Sequence, residues 1–497
     1  FGTLDTLVKA ENPYLQENTG YEQRNFTQKF KFRVSERSEI KIGQYASLTS
    51  TINRYDRIIQ TKNGLPKYSV WEYGPQFWLM SFASFENRSI TKLSDWYKIT
   101  FSGQLYGESR NVRKYNNVIG RIQTERVNIG QLSFDASKKI SKSAQLTYGA
   151  EALTNTVGSS ALYYNQLNLE DTWSAQSRYA DGSIWNSASV FANTNIDLSP
   201  ALALSSGARL NAISMFTPIR FNGLQEDALF NFIAPSGSIG LTYYKPTFKY
   251  FLNLSSGFRA PNVDDASKVF DSQPGALVVP NSNLREERLY SAEVGMKQRL
   301  NSWIAFDGSF YYSFLDHVLL RAPFQFDGND SVQYDGAYSQ VLAIQNLDFA
   351  WIWGYQFGLR TQINKHFSWT AHLSHPFGRD SEGQNLRHVH PLNATSQLVF
   401  KKKKWSANIV GRYNAKVTAE DLAPSEQSKT HIYAIDSEGN PYSPQWYTCN
   451  VHASYIFNKN MVLRLGIDNI TDVQYRPYSS GIAAPGRSFF IGLRGSI

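Results

Sequence analysis

Between residues 26 and 34 the chain alternates by twos. Phe26, Phe30, Phe32 and Val34 occupy one set of positions, and Thr27, Lys29, Lys31 and Arg33 the other. Successive side chains of a β-strand point to opposite faces, so this period puts apolar groups on one face and full charges on the other. The pattern returns at 304–314, where Ile304, Phe306, Phe310, Tyr312 and Phe314 oppose Asp307, Ser309 and Ser313. It returns at 355–363, where Tyr355, Phe357, Leu359 and Ile363 oppose Gln356, Arg360 and Gln362, and at 461–467, where Met461, Leu463, Leu465 and Ile467 oppose Arg464 and Gly466. No long stretch keeps a 3.6-residue period, so the fold class is all-β. Strands of a soluble sandwich run to about five or six residues. Many segments here exceed ten, about the length of a tilted strand crossing a bilayer.

The connections point the same way. Short turns at 36–38, 137–139, 198–200, 244–247, 301–302, 364–366, 401–404 and 458–460 alternate with long polar loops at 160–184, 258–284, 319–346, 377–390 and 418–442. Short turns on one rim and long loops on the other define a transmembrane antiparallel β-barrel of the bacterial outer membrane. A propeller would repeat near every forty residues, and no such period exists. Segmentation gives about nineteen strands: 23–35, 39–56, 70–85, 94–110, 119–136, 142–159, 185–197, 201–216, 229–243, 247–257, 285–300, 303–318, 347–364, 367–376, 391–401, 405–417, 443–457, 460–474 and 487–497. Single-chain bacterial barrels close on an even number, and large transporters have 22 strands. The expectation is therefore a 22-stranded barrel with nineteen strands in this chain. Residues 1–22 read as an extracellular loop segment and 23–497 as a barrel incomplete at its N-terminus. Phe30, Phe32, Leu359, Leu463, Leu465 and Leu493 should face lipid, and Lys29, Lys31, Arg360, Arg464 and Arg494 the lumen. The last strand places Phe489, Ile491, Leu493 and Ile497 on one face.

Composition narrows the function classes. Charged residues make up 18%, below the roughly 25% of soluble domains. Aromatics reach 14%, and Trp71, Trp78, Trp96, Trp303 and Trp351 near strand ends suit interfacial girdles. The single cysteine, Cys449, excludes a disulfide framework and a cysteine-cluster metal site. The run Lys401 to Lys404 occupies a short turn and reads as solvated rather than nucleic-acid binding. No Ser-His-Asp order, carboxylate pair or phosphate-cradling loop stands out, so no catalytic residue, cofactor or metal ligand is assigned. Asp264, Asp265 and Asp271 lack EF-hand spacing. Aromatic area and directed polar groups, the ingredients of a ligand site, concentrate in the long loops. These are Arg259, the near pair His388 and His390, and His431, Tyr433 and Trp446. Replacing His388, His390 and His431 together by Ala should weaken ligand uptake and leave barrel assembly intact. The formal charge, 50 − 41 = +9, favours encounter with an anionic ligand.

Two blocks carry a family resemblance. Ser255-Ser256-Gly257-Phe258-Arg259-Ala260-Pro261-Asn262, then Pro280-Asn281-Ser282-Asn283-Leu284-Arg285-Glu286-Glu287, resemble the FRAP and NPNL boxes of TonB-dependent outer-membrane receptors. The box residues are Phe258, Arg259, Ala260, Pro261, Asn281, Asn283 and Leu284. The tail, 466–472 followed by Ala484-Pro485-Gly486-Arg487-Ser488-Phe489-Phe490, is similar to the last hairpin of that family. The resemblance implies a 22-stranded barrel, an N-terminal plug domain and a TonB box. Neither plug nor box is legible here, and Phe1-Gly2-Thr3-Leu4-Asp5 has no signal-peptide pattern, so the chain is expected to be the C-terminal part of a receptor. Implied partners are TonB through an N-terminal segment absent here, the plug, lipid and lipopolysaccharide, and a surface lipoprotein over the loops; no nucleic acid is expected. Implied cargoes are ferric siderophores, haem, cobalamin or glycans. The NPNL box is degenerate, and 262–280 contains no histidine, which demotes haem. Active uptake of a ferric siderophore or similar iron chelate is the favoured function. The alternatives are a passive large-pore channel, disfavoured because porins have 16–18 strands, an outer-membrane enzyme, and a partner-binding barrel working with a surface lipoprotein.

Overall fold

A computed structural model describes residues 4–496 apart from Pro274, Asp335, Ser428 and Thr430; the first three residues of the 1–22 segment and Ile497 lie outside the described residues. Nineteen strands form one antiparallel wall: β1 Gln23–Ser35, β2 Ser38–Thr49, β3 Phe77–Asn87, β4 Trp96–Lys114, β5 Ile119–Lys139, β6 Ala144–Asn165, β7 Ser183–Ser199, β8 Leu202–Phe221, β9 Leu224–Lys245, β10 Phe248–Arg259, β11 Glu287–Arg299, β12 Ile304–Pro323, β13 Ala337–Gln362, β14 Phe367–Asp380, β15 Asn393–Lys402, β16 Trp405–Asn414, β17 Trp446–Asn458, β18 Met461–Asp468 and β19 Ser488–Gly495. Each pairs with its neighbour in sequence, and six short strands bring the sheet to 25 segments. Among the described residues β1 pairs only with β2, and β19 only with β18.

Register shows that the two faces are continuous. Lys31 sits opposite Lys41, and the same face passes through Ser84, Thr100, Ser133, Glu151, Ser189 and Asn211 on successive strands. At the far end it passes through His372, Thr395, Arg412 and Thr448, and through Ser454 and Arg464. The other face passes through Phe32, Ile40, Phe85, Ile99, Phe134, Ala150, Val190 and Leu210. The six residues expected to meet lipid and the five expected to meet the lumen fall on opposite faces. Phe32 is 52% exposed and Leu493 68%, so among the described residues no protein covers the apolar face at these positions. A bilayer is the medium that makes such a surface stable.

The polar face is the inner one, because the connection 260–286 packs against it. Val263, Ala266 and Leu284 of that connection join Ile213, Met215, Phe230 and Phe232 of β8 and β9 and Leu319 of β12 in one buried cluster. Several strands also run further outward than sequence implies. β8 and β9 were expected to stop at 216 and restart at 229. They continue to a two-residue turn, Asn222-Gly223, with φ of 47° and 89°, the left-handed pair that a tight hairpin requires. Along β8 the alternation changes phase. Leu204, Ala208 and Leu210 face out, whereas higher up Ile213, Met215, Ile219 and Phe221 face in. Beyond the bilayer the outer face meets water and the inner face meets packed loops, so the apolar residues switch sides.

Candidate functional site

The two sequence boxes build the inner rim. Pro261, fully buried, turns the chain inward after β10. Asn262 then caps the short helix Val263–Ser267: its side chain accepts from the Asp265 N–H at 3.0 Å, and Asp265 accepts from the Asn262 N–H at 3.1 Å. This is a capping box. Both oxygens of Asp265 also receive the Arg259 guanidinium, at 2.7 and 2.8 Å. Asn281 donates from its amide to the Ile344 carbonyl at 2.8 Å and accepts from the Asn283 N–H at 2.9 Å. Phe258 and Ala260 pack on the cluster that holds Leu284. Arg259 and the other box residues therefore fasten this connection to the wall. Asp264 accepts from Tyr179 at 2.9 Å and from Lys268 at 2.8 Å. Burial raises the Asp264 carboxyl, but Lys268 and Tyr179 outweigh it and leave it below its ordinary range. Burial lowers Lys268. Each of these two aspartates is thus matched to a cation.

A second hub lies where three further connections meet. Glu426, with no exposed surface, sits in the short helix Pro424–Gln427 between β16 and β17. One oxygen receives Arg387, from the β14–β15 connection, and Lys429 at 2.6 Å. The other accepts from the hydroxyls of Tyr433 and, at 3.1 Å, Ser479 of the β18–β19 connection. Burial alone would raise the Glu426 carboxyl; the Lys429 and Tyr433 hydrogen bonds and the Arg387 charge reverse that and hold it at about 2. Burial lowers the Lys429 ammonium and raises the Tyr433 phenol, which Glu426 pushes up further. Burial also pushes Tyr478, which packs beside Tyr433, up to about 12.

Of the loop residues picked out in the sequence, Tyr433 is in this hub, and His388 and His431 flank it from two different connections. Both histidines feel the Lys429 charge. Burial lowers His388, with Arg387 adding to it, and burial lowers His431, with Arg57 adding to it. His390 stands apart: its Nδ1 lies 2.9 Å from both the Pro391 carbonyl and the Asn393 amide. Trp446 packs against Tyr475 with ring centroids 4.3 Å apart and the planes tilted by 32°. Among the described residues no three His, Cys, Asp or Glu side chains are placed to hold a metal ion.

The residues that sequence reading missed are charged. Arg178, Lys268, Arg321, Arg387 and Lys429 form a linked series of cations, with Asp264 and Glu426 as the carboxylates between them. No motif marks them, because they come from five separate segments. A second group of contacts joins other loops, with Arg121 donating to the Tyr334 hydroxyl at 2.7 Å and Arg476 to the His431 carbonyl at 2.9 Å.

A wall with a lipid-facing outside, a charged inside and loops gathered over one rim defines an outer-membrane β-barrel. The chain belongs to the family of TonB dependent receptor-like beta-barrels, whose model matches residues 4–470. That family is one of receptors and transporters. A curated relative, the ferric enterobactin receptor PirA of Pseudomonas aeruginosa, is 23% identical over 459 residues, covering 82% of this chain and 56% of its own length. The chain thus spans about half the length of that relative (56%). Among solved structures, the copper transporter OprC superposes with a TM-score of 0.74 at 13% identity, covering 96% of this chain and 72% of the other. The siderophore receptor PirA from Acinetobacter baumannii superposes with a TM-score of 0.70 at 13% identity, covering 96% and 71%. At these identities the superpositions establish the fold.

Proposed function

We propose that the whole protein is a TonB-dependent outer-membrane receptor that takes up a scarce nutrient, a ferric siderophore or similar iron chelate. The observation that carries this reading is family membership over residues 4–470, and the names of relatives that handle ferric enterobactin and siderophores support it. In this reading residues 23–497 are the barrel, residues 1–22 lie against its extracellular side, and TonB acts through a plug domain that gates the lumen. Asp5 supports the placement of the first segment, because it receives Arg113 at 2.6 and 3.0 Å and Ser69 at 2.6 Å. Lipid covers the apolar wall, lipopolysaccharide surrounds the outer rim, and the exposed loops leave room for a surface lipoprotein. His388, His431 and Tyr433 belong to the ligand mouth, and Arg259 anchors a loop. The test is uptake of radioactive iron, offered as several ferric chelates, by iron-starved cells with and without TonB. Uptake that needs both this protein and TonB is expected. Uptake independent of TonB, together with steady conductance of the full-length protein in planar bilayers, would instead establish a passive pore.

A further inference from the structure

The lysine run 401–404 lies on the short-turn rim, at the opposite end of the barrel from the Glu426 hub. Strands β15 and β16 meet there in a two-residue turn, Lys403-Lys404. The hairpin ends on either side are bonded to it. The Lys401 N–H donates to the His366 carbonyl at 2.8 Å, and the Ile456 N–H donates to the Lys404 carbonyl at 2.9 Å. The His366 Nδ1 also lies 3.0 Å from the Lys401 carbonyl. Three neighbouring hairpin ends, 363–366, 401–404 and 458–460, thus form one stretch of the rim. With Lys365 and Lys459 it carries six lysines and no aspartate or glutamate. The Lys404 ammonium donates to the Phe457 carbonyl at 2.7 Å. The other five lysines are exposed, and their ammonium groups have no hydrogen bond or ion pair among the described residues. Lys403 also has a φ of 54°. Apart from Ser479, the other non-glycine residues with positive φ among the described residues are Asn, Asp or His, the types enriched in that conformation. The turn therefore keeps a lysine against its backbone preference.

Aromatic rings on the lipid face fix the height of these charges. Trp405, 57% exposed, is opposite Lys402, and its ring centroid is 4.6 Å from that of Tyr455. Tyr455 in turn is opposite Leu463 of the lipid face. On the next hairpin Phe367 and Phe400 pair across the strands with centroids 5.0 Å apart. Such rings sit at headgroup level, so the ammonium groups beside and beyond them stand at the height of the lipid phosphates. Clustered lysines at that height repel one another unless an anionic surface joins them, and attraction to such a surface grows with each lysine. We propose that these three hairpin ends form a binding surface for the anionic phospholipid headgroups of the periplasmic leaflet. The lysines meet the phosphates, and the rings pack on the glycerol and upper acyl region. The leaflet follows from the rim, since short turns are the periplasmic ones, and the surface is continuous with the lipid face. It holds for any cargo, because it depends only on the wall.

The test reads lipid preference at the protein surface. Full-length protein is reconstituted in phosphatidylcholine vesicles. Electron spin resonance then compares the immobilised fraction of spin-labelled phosphatidylglycerol, which is anionic, with that of spin-labelled phosphatidylcholine. The parent should prefer the anionic lipid several-fold, and the preference should vanish in molar salt. Lys402→Gln/Lys403→Gln removes two exposed lysines without partners, so heat-modifiable mobility should be kept. The preference should fall about fivefold, the scale of one lysine near an anionic surface. Lys402→Arg/Lys403→Arg should retain it. Lys62→Gln/Lys416→Gln, which removes the same net charge on the long-loop rim, should change nothing. Equal preference in the parent and in Lys402→Gln/Lys403→Gln, equal losses in the two Gln pairs, or no preference in the parent would each overturn the surface. If the Gln pair assembles poorly, the parent decides alone: a preference that survives molar salt overturns it. None of these results touches the uptake reading, which is decided in cells by dependence on TonB.

Discussion

Arg387 and Glu426 meet between two different extracellular connections, the guanidinium Nε against a carboxylate that has no exposed surface. The β16–β17 connection has a small apolar cluster of its own, Val417, Leu422 and Tyr433, on which Tyr478 of the β18–β19 connection packs. The meeting of Arg387 and Glu426 turns separate loops into one body, and Ser479 brings in a third. Removing the carboxylate leaves Arg387 and Lys429 facing each other without an anion. Breaking a fully buried pair costs about 3–5 kcal/mol. The Arg387 side chain is 38% exposed, and solvent screening brings the expected loss for Glu426→Ala down to about 2 kcal/mol. Hydrogen exchange should accelerate in 381–392, 415–445 and 469–487 and remain slow in the wall strands. Unchanged protection in all three connections would show that the hub does not hold them.

The same carboxylate sets a pH dependence. Its folded value of about 2 lies below the ordinary 4.5. The folded loops therefore favour the ionised form, and the stabilisation is complete above the unfolded value. It is lost as pH falls through the interval between 4.5 and about 2. The Glu426 contribution to loop protection should be flat between pH 7 and pH 5, and the three connections should loosen together toward pH 2. Loosening that begins as pH falls through the ordinary histidine value of 6.5 would implicate His388 and His431 instead, because burial disfavours their charged rings.

The wall makes a prediction about sidedness. Leu465 is on the lipid side, opposite Ala453 and Ile491, near the middle of its strand. Ser189 is on the lumen side, between Glu151 and Asn211. A lysine on the lipid face near the bilayer midplane costs about 2–4 kcal/mol, whereas a lysine beside Glu151 stays in water. Leu465→Lys should lower the yield of folded, heat-modifiable barrel and Ser189→Lys should not. Equal yields from the two variants would contradict the assignment of faces.

Legibility followed the medium. Where strands cross the bilayer, lipid outside and water inside impose opposite demands on alternate residues, and all nineteen strands could be read from that alternation. Above the bilayer both faces can be polar, so β13 runs on from 337, ten residues before the start expected at 347, and β8 changes phase where loops fill its interior. The two boxes could be read as family motifs, but their physical role could not. Only the structure shows Arg259 held by Asp265 and Asn281 fixed to Ile344. Arg387, Glu426 and Ser479 come from separate segments with no shared pattern, and only the packing of the loops brings them together. The histidines could be located, but which of them share a site could not.

That division among the histidines can be measured. His388 and His431 lie beside the hub from separate connections, whereas the His390 ring is tied to Pro391 and Asn393 at the base of β15. Burial lowers both hub histidines from their ordinary value, which favours the uncharged ring at neutral pH; in the proposed ligand mouth each would contribute contact area and one ring N–H. Lost neutral hydrogen bonds are worth about 0.5–1.5 kcal/mol apiece. The double variant His388→Ala/His431→Ala should therefore weaken capture of the native chelate several-fold. Since no charge is removed, the salt dependence of binding should be that of the parent. His390→Ala should leave both affinity and salt dependence unchanged, so the triple variant should behave as the double. If His390→Ala alone reproduces the loss of the triple variant, the ligand is held at the base of β15 rather than at the hub.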